Sequence, residues 1–325
     1  MMSEAPLNVE HALCPVCRSD DYSLAFRRPD LRFCCSPHVF TIVRCRTCGM
    51  GYILDRPTEA ALRTFYPPTF YATNHDSSGQ EAPLRHKMEL VRAHAGQAAG
   101  GRLLDLGCAG GEFVAYAQQQ GWTAHGYDWT TSLSNQSGLP IQYGGDLAGL
   151  YDDNSFDVIT AWAVMEHVYD LRDTMRNISR MLKPGGIFIA LVTNFDSIPG
   201  RYMQGDDIPR HLNLFTPRSF DRLLREYGMQ PVRHCFDQKI FTGSHRGLLV
   251  FLLKRLAGEP LADIVAQHRA PGRRPEFCGM LRGRPSALTR AVCWFDRTLF
   301  TPVIDRVAES LGRGLTLTVV ARKDA

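Results

Sequence analysis

The sequence predicts a doubly wound α/β sheet with a cysteine-rich ribbon ahead of it and a helical insertion before its last strand. Three observations predict this. An apolar run ends in an acid and a glycine-rich turn, Leu103-Leu-Asp-Leu-Gly-Cys-Ala-Gly-Gly-Glu-Phe113, and passes into an amphipathic segment. Near-continuous apolar strands such as Ser155–Ala161 and Ile187–Val192 flank the helical stretch Leu171–Met181, as in a parallel sheet covered on both faces. Two C-x2-C pairs lie near the N-terminus.

Taken in chain order, Cys14-Pro-Val-Cys17 and Cys45-Arg-Thr-Cys48 form two knuckles separated by 27 residues. Each brings two thiolates toward one ion, so Cys14, Cys17, Cys45 and Cys48 are the expected ligands of a structural Zn²⁺ ribbon over residues 1–56. Cys34, Cys35 and His38 between the knuckles are alternative ligands. Four protein ligands leave no open metal position, so the ribbon either shapes a wall of an acceptor pocket or docks a partner. The stretch Pro57–Arg85, rich in Pro, Thr and aromatic residues, begins a linker over 57–100 expected to cover the ligand cleft. The sheet core spans 101–240, the helical insertion 241–312, and the last core strand 313–325.

Within the core, Gly107, Ala109 and Gly111 keep side-chain bulk away from a ligand, and the helix Glu112–Gln120 presents free N–H groups to it. Cys108 adds a small, weakly polar side chain. The loop reads G-x-A-x-G with Asp105 ahead of it, unlike the dinucleotide loop G-x-G-x-x-G. An acid there would repel a diphosphate and suits a ligand with a cationic amino group, which points to S-adenosylmethionine. The strand Trp122–Tyr127 then ends at Asp128, 17 residues beyond Gly111, where a carboxylate binds ribose hydroxyls.

The pieces Asp105-Leu-Gly-Cys-Ala-Gly-Gly111, Ser155-Phe-Asp-Val-Ile159, Met165-Glu-His-Val168 and Leu182-Lys-Pro-Gly-Gly186, in this order, resemble the class I S-adenosylmethionine-dependent methyltransferases. The resemblance implies a seven-stranded Rossmann-like sheet with a reversed last strand, which Leu315–Ala321 fits. It implies that Asp146 meets the adenine amino group, with Leu147 and Trp129 beside the cofactor and Ala161 at the strand edge. Trp162 is either core or site.

Methyl transfer to a hydroxyl needs alignment and a proton acceptor, for which His167 and His211 are the candidates. The string Pro209-Arg-His-Leu-Asn-Leu-Phe-Thr-Pro217 resembles zinc-ribbon methyltransferases of bacterial sugar, polysaccharide or secondary-metabolite pathways. In that resemblance Arg210 and His211 face the acceptor, with a helix from Pro217 to Tyr227 behind them. The strand Met229–Gln238 precedes the insertion, whose stretches Leu248–Leu256 and Leu288–Leu311 read as helices joined by an Arg/Pro-rich link over 269–285. Its apolar residues suit a lid, a homodimer face or a membrane-surface helix.

A net charge of +4 over 325 residues carries no nucleic-acid imprint. No apolar run reaches the roughly 18–20 residues that span a bilayer, so a cytoplasmic enzyme is expected. O-methylation of a small molecule is the leading expectation, ahead of sugar C-methylation. An RNA base methyltransferase is the runner-up, because the Arg-rich link suits phosphates. A non-catalytic scaffold would be expected to lack Asp105 and Asp128.

Overall fold

The computed structural model describes residues 7–30, 32–67, 70, 81–95, 100–130, 138–197, 207–240, 248–256, 258 and 287–325. The N-terminal ribbon contains β1 (Val9–His11), β2 (Tyr22–Pro29), β3 (Val39–Cys45), β4 (Gly51–Ile53) and β5 (Asp55–Pro57). The strands β2, β3 and β4 run antiparallel, and β1 pairs with β5. The short helix α1 (Glu59–Leu62) follows, capped by the Thr58 hydroxyl, and then α2 (Glu81–Ala95).

The core alternates as the apolar runs require: β6 (Arg102–Leu106), α3 (Glu112–Gln119), β7 (Thr123–Asp128), β8 (Ile141–Tyr143), β9 (Phe156–Trp162), α4 (Leu171–Met181) and β10 (Leu182–Thr193). The short β11 (Asn213–Leu214) precedes α5 (Pro217–Glu226) and β12 (Met229–Cys235). Helices α6 (Leu248–Leu256), α7 (Ala287–Phe295) and α8 (Thr301–Ser310) form the described insertion, and β13 (Thr316–Lys323) closes the chain. The main sheet has seven strands in the order β12-β13-β10-β9-β6-β7-β8. Strand β13 runs antiparallel to both neighbours, and β6, β7, β8, β9 and β10 pair in parallel.

Local chemistry explains the helices that cover this sheet. Asp170 caps α4 by accepting from Asp173 N, and Leu171, Met175, Ile178 and Met181 bury one helical stripe. Thr216 and Ser219 form a capping box at α5, with Pro217 in the first turn where its missing N–H costs no helical bond.

The ribbon is built into the core. Strand β11, from beyond the fifth core strand, pairs with β4 and supplies the fourth strand of the ribbon sheet. At Gly51 a methyl group would lie 2.6 Å from Phe195 Cε1, so only glycine permits this approach. Arg210, expected to face an acceptor, is instead fully buried. Its guanidinium pairs with Asp30 at 2.8 Å, donates to Asp207 at 2.6 Å and to the Phe65 carbonyl at 2.8 Å, and lies 4.7 Å over the Phe33 ring. A buried cation needs this full set of acceptors, which leaves it nothing to offer a ligand.

The expected helix over 288–311 is present as α7 and α8 joined by a π-helical turn, Asp296–Phe300. Asp296 is fully buried and accepts from Leu249 N, tying α6 to this run. Leu252, Leu256, Trp294, Leu299 and Val303 are exposed, and the Arg/Pro-rich link lies outside the described residues. No helix among the described residues is long and apolar enough to cross a membrane.

Replacing Asp30 with Ala leaves the buried Arg210 guanidinium with one carboxylate, Asp207, which it shares with Arg32. Urea unfolding is expected to show a loss of about 3–5 kcal/mol, against less than about 1 kcal/mol for Glu59→Ala at an exposed pair. Equal small losses would contradict the clamp.

Candidate functional site

Strand β6 delivers Asp105 to the carboxyl edge of the sheet, where the side chain is 3% exposed and accepts from Thr160 Oγ1 at 2.6 Å. Burial pushes its carboxyl up to about 6, against the opposing pull of Lys87 and of the Thr160 hydrogen bond. The chain turns with left-handed φ at Gly107 (+66°), Ala109 (+49°) and Gly111 (+87°). A methyl at Gly107 would meet Val164 Cγ2 at 2.3 Å, and one at Gly111 would meet Ile141 Cδ1 at 2.4 Å. The glycines are therefore small because the loop packs on protein, and not only to admit a ligand. Cys108 is buried, and burial holds its thiol well above the usual range.

Asp128 ends β7 and braces the loop, accepting from Ala109 N and Thr130 N, each at 2.9 Å. The Tyr143 hydroxyl donates to Ala109 O at 2.8 Å. Trp129 is 40% exposed and stands edge-on to Tyr127 at 4.9 Å. The exposed Asp146 accepts from Ala148 N at 3.0 Å, and Leu147 behind it is buried. Ala161 has no accessible surface and lies near the carboxyl end of β9. The next residue, Trp162, has a buried Nε1 without a hydrogen-bond partner, and its ring meets Phe113 edge-on at 5.6 Å.

Sequence reasoning missed Lys87. It is half-buried on α2, with Nζ 5.2 Å from the Trp162 ring centroid and 5.4 Å from that of Phe113. Burial lowers its pKa, while the charges of Asp105 and Glu112 raise it. A cation and an acid thus flank one glycine-rich turn.

The two candidate histidines meet. His167 follows β9, and its ring lies 4.5 Å from that of His211 at an interplanar angle of 81°. His167 Nδ1 is 3.3 Å from the Tyr66 hydroxyl. His211 is 8% exposed, and its buried Nδ1 has no hydrogen-bond partner. Burial lowers His167 to about 4 and drives His211 well below the ordinary histidine value, with the neighbouring histidine adding to the shift. Asn213 Nδ2 donates to Met165 O at 3.1 Å and to Val168 O at 2.7 Å, locking the two histidine segments together. Tyr66 and Phe70 complete an aromatic wall beside His167. Neither ring was singled out individually from sequence.

The four cysteines converge. Their Sγ atoms all lie within 4.8 Å of one another, with Cys14–Cys48 and Cys17–Cys45 each at 3.5 Å. A tetrahedral metal with sulfur bonds of about 2.3 Å sets sulfurs roughly 3.8 Å apart, so the thiols fit such an ion. Cys34 and Cys35 are exposed and His38 packs on Phe40, and none of them joins this cluster.

A sheet of this order, with an acid–glycine loop after β6 and an acid ending β7, defines the class I methyltransferase fold. Residues 80–234 match the family described as "Methyltransferase domain". The chain is similar to the ubiquinone biosynthesis O-methyltransferase of Ruegeria pomeroyi, 31% identical over 163 residues, 44% of this chain and 64% of that protein. Its likeness to the enzyme of the same name from Rickettsia bellii is 24% over 144 residues, 42% of this chain and 59% of that protein. The chain thus spans about three fifths of the length of these relatives. A solved structure of Burkholderia thailandensis 1,6-didemethyltoxoflavin-N1-methyltransferase aligns with a TM-score of 0.46 and 16% identity, covering 85% of this chain and 96% of that one.

An amine held by Asp105 requires the ionised acid, and the proton competes below pH 6. Calorimetry is expected to show S-adenosylhomocysteine affinity falling about tenfold from pH 7 to pH 5. The variant Asp105→Asn would bind weakly without that slope. A slope retained in the variant would refute the assignment.

Proposed function

We propose that this chain methylates a hydroxyl oxygen of a small-molecule acceptor using S-adenosylmethionine, with His211 as proton acceptor. The observation that carries this reading is a buried, neutral histidine with an uncommitted Nδ1 beside the fold's carboxyl edge. The cofactor, when bound, supplies an electrophilic methyl group on a sulfonium. Asp105 would hold its ammonium, Lys87 its carboxylate, and Asp128 its ribose hydroxyls, with Trp129, Asp146 and Leu147 flanking the adenine. The charges suit such a zwitterion: an acid and a base stand side by side in a site poor in water.

His211 Nδ1 would take the proton that the acceptor hydroxyl loses. His167, whose Nδ1 lies 3.3 Å from the Tyr66 hydroxyl, is a positioning residue that holds His211 edge-on. Burial keeps His211 unprotonated far into the acid range, so the base is ready at neutral pH. Zn²⁺ on Cys14, Cys17, Cys45 and Cys48 would be structural, because four thiolates close its coordination. The similarity to O-methyltransferases of Ruegeria and Rickettsia supports an oxygen acceptor.

A panel of hydroxylated acceptors, assayed by S-adenosylhomocysteine release, tests this. With a turned-over acceptor, His211→Gln is expected to lower kcat about 10²–10³-fold while cofactor affinity stays within about threefold. The acid limb of the wild-type profile should lie well below the ordinary histidine range, since burial holds His211 neutral there. An unchanged kcat in the variant would remove His211 as the base.

A further inference from the structure

A pocket of about 450 Å³ opens on another part of the molecule, between the first cysteine knuckle and helices α4 and α5. Arg18, Arg172, Arg222 and Arg225 line it against one carboxylate, Glu226. Arg172 is fixed in place, donating to Val16 O at 3.0 Å and pairing with Glu226. Arg225 has only a 3.6 Å contact to Asp221. The guanidinium groups of Arg18 and Arg222 have no hydrogen bond or ion pair among the described residues. The pocket therefore gathers more positive charge than the protein neutralises.

The two knuckles make the same turn, with Arg18 N donating to Cys14 O and Gly49 N to Cys45 O, both at 2.9 Å. The residue after the second cysteine is left-handed in each, at φ +62° for Arg18 and +83° for Gly49. Glycine adopts that conformation freely, whereas arginine is strained there. Arg18 thus places a guanidinium in the pocket at a backbone position that favours glycine.

We propose that this pocket binds the diphosphate group of a small molecule, at a site separate from the methyl-transfer edge. Guanidinium forks pair bidentately with phosphate oxygens, and the volume suits a nucleotide-sized ligand. The site is independent of the functional reading above.

Calorimetry on the zinc-loaded protein at fixed ionic strength, with pyrophosphate and inorganic phosphate as probes, tests the site. Pyrophosphate is expected to bind saturably and more tightly than phosphate. Arg18→Gly and Arg222→Gln should each weaken it at least fivefold, while Arg63→Gln on the exposed helix α1 end changes nothing. Arg18→Gly should unfold at the same temperature as the parent or higher, which separates lost binding from lost folding. No saturable pyrophosphate binding, or equal weakening by Arg63→Gln, would overturn the proposal. A single-stranded RNA that binds far more tightly than pyrophosphate and loses affinity in Arg18→Gly would replace it with a nucleic-acid surface.

Discussion

The arrangement of the wall that carries His167 and His211 depends on one buried cation. Arg210 reaches from the segment after the fifth core strand to Asp30 at the end of the first ribbon hairpin, and Asp207 and the Phe65 carbonyl complete its acceptors. The next residue is His211, whose ring meets that of His167 edge-on at 4.5 Å. Ribbon, linker and core therefore meet at a single guanidinium. The β4–β11 pairing and the close approach of Gly51 to Phe195 add backbone contacts to the same junction. The ribbon is thus structurally part of the wall that carries the histidines.

Two opposite electrostatic effects follow from burial at the sheet edge. A dry environment penalises charge, so it raises the Asp105 carboxyl and lowers both histidines. The Asp105 carboxyl is held near 6, and both imidazoles are unprotonated at neutral pH. Each group is unfavourable alone and matched to a charged or proton-donating partner, which is why such sites are poised for chemistry.

Much of this was legible in the chain. Apolar runs bounded by glycine and proline mark β6, β9, β10 and α4 because sheet strands buried on both faces tolerate few polar residues. The knuckle spacing marks the cysteines because two thiolates in one tight turn serve one ion. Lys87 and Tyr66 were not legible as site residues, since only tertiary packing brings α2 and the linker over the cleft. Arg210 was misread because an arginine beside a histidine in a polar loop looks like a ligand contact. Its partner Asp30 lies 180 residues away, although Asp207, three residues before it, was a local sign of an ion pair.

The most direct measurement is hydrogen exchange on the zinc-loaded and zinc-stripped protein, read peptide by peptide. If the ribbon and the histidine wall are one unit, stripping the metal should deprotect 207–214 together with 39–53, while 102–128 keeps its protection. Loss confined to the ribbon strands, with 207–214 unchanged, would contradict that coupling.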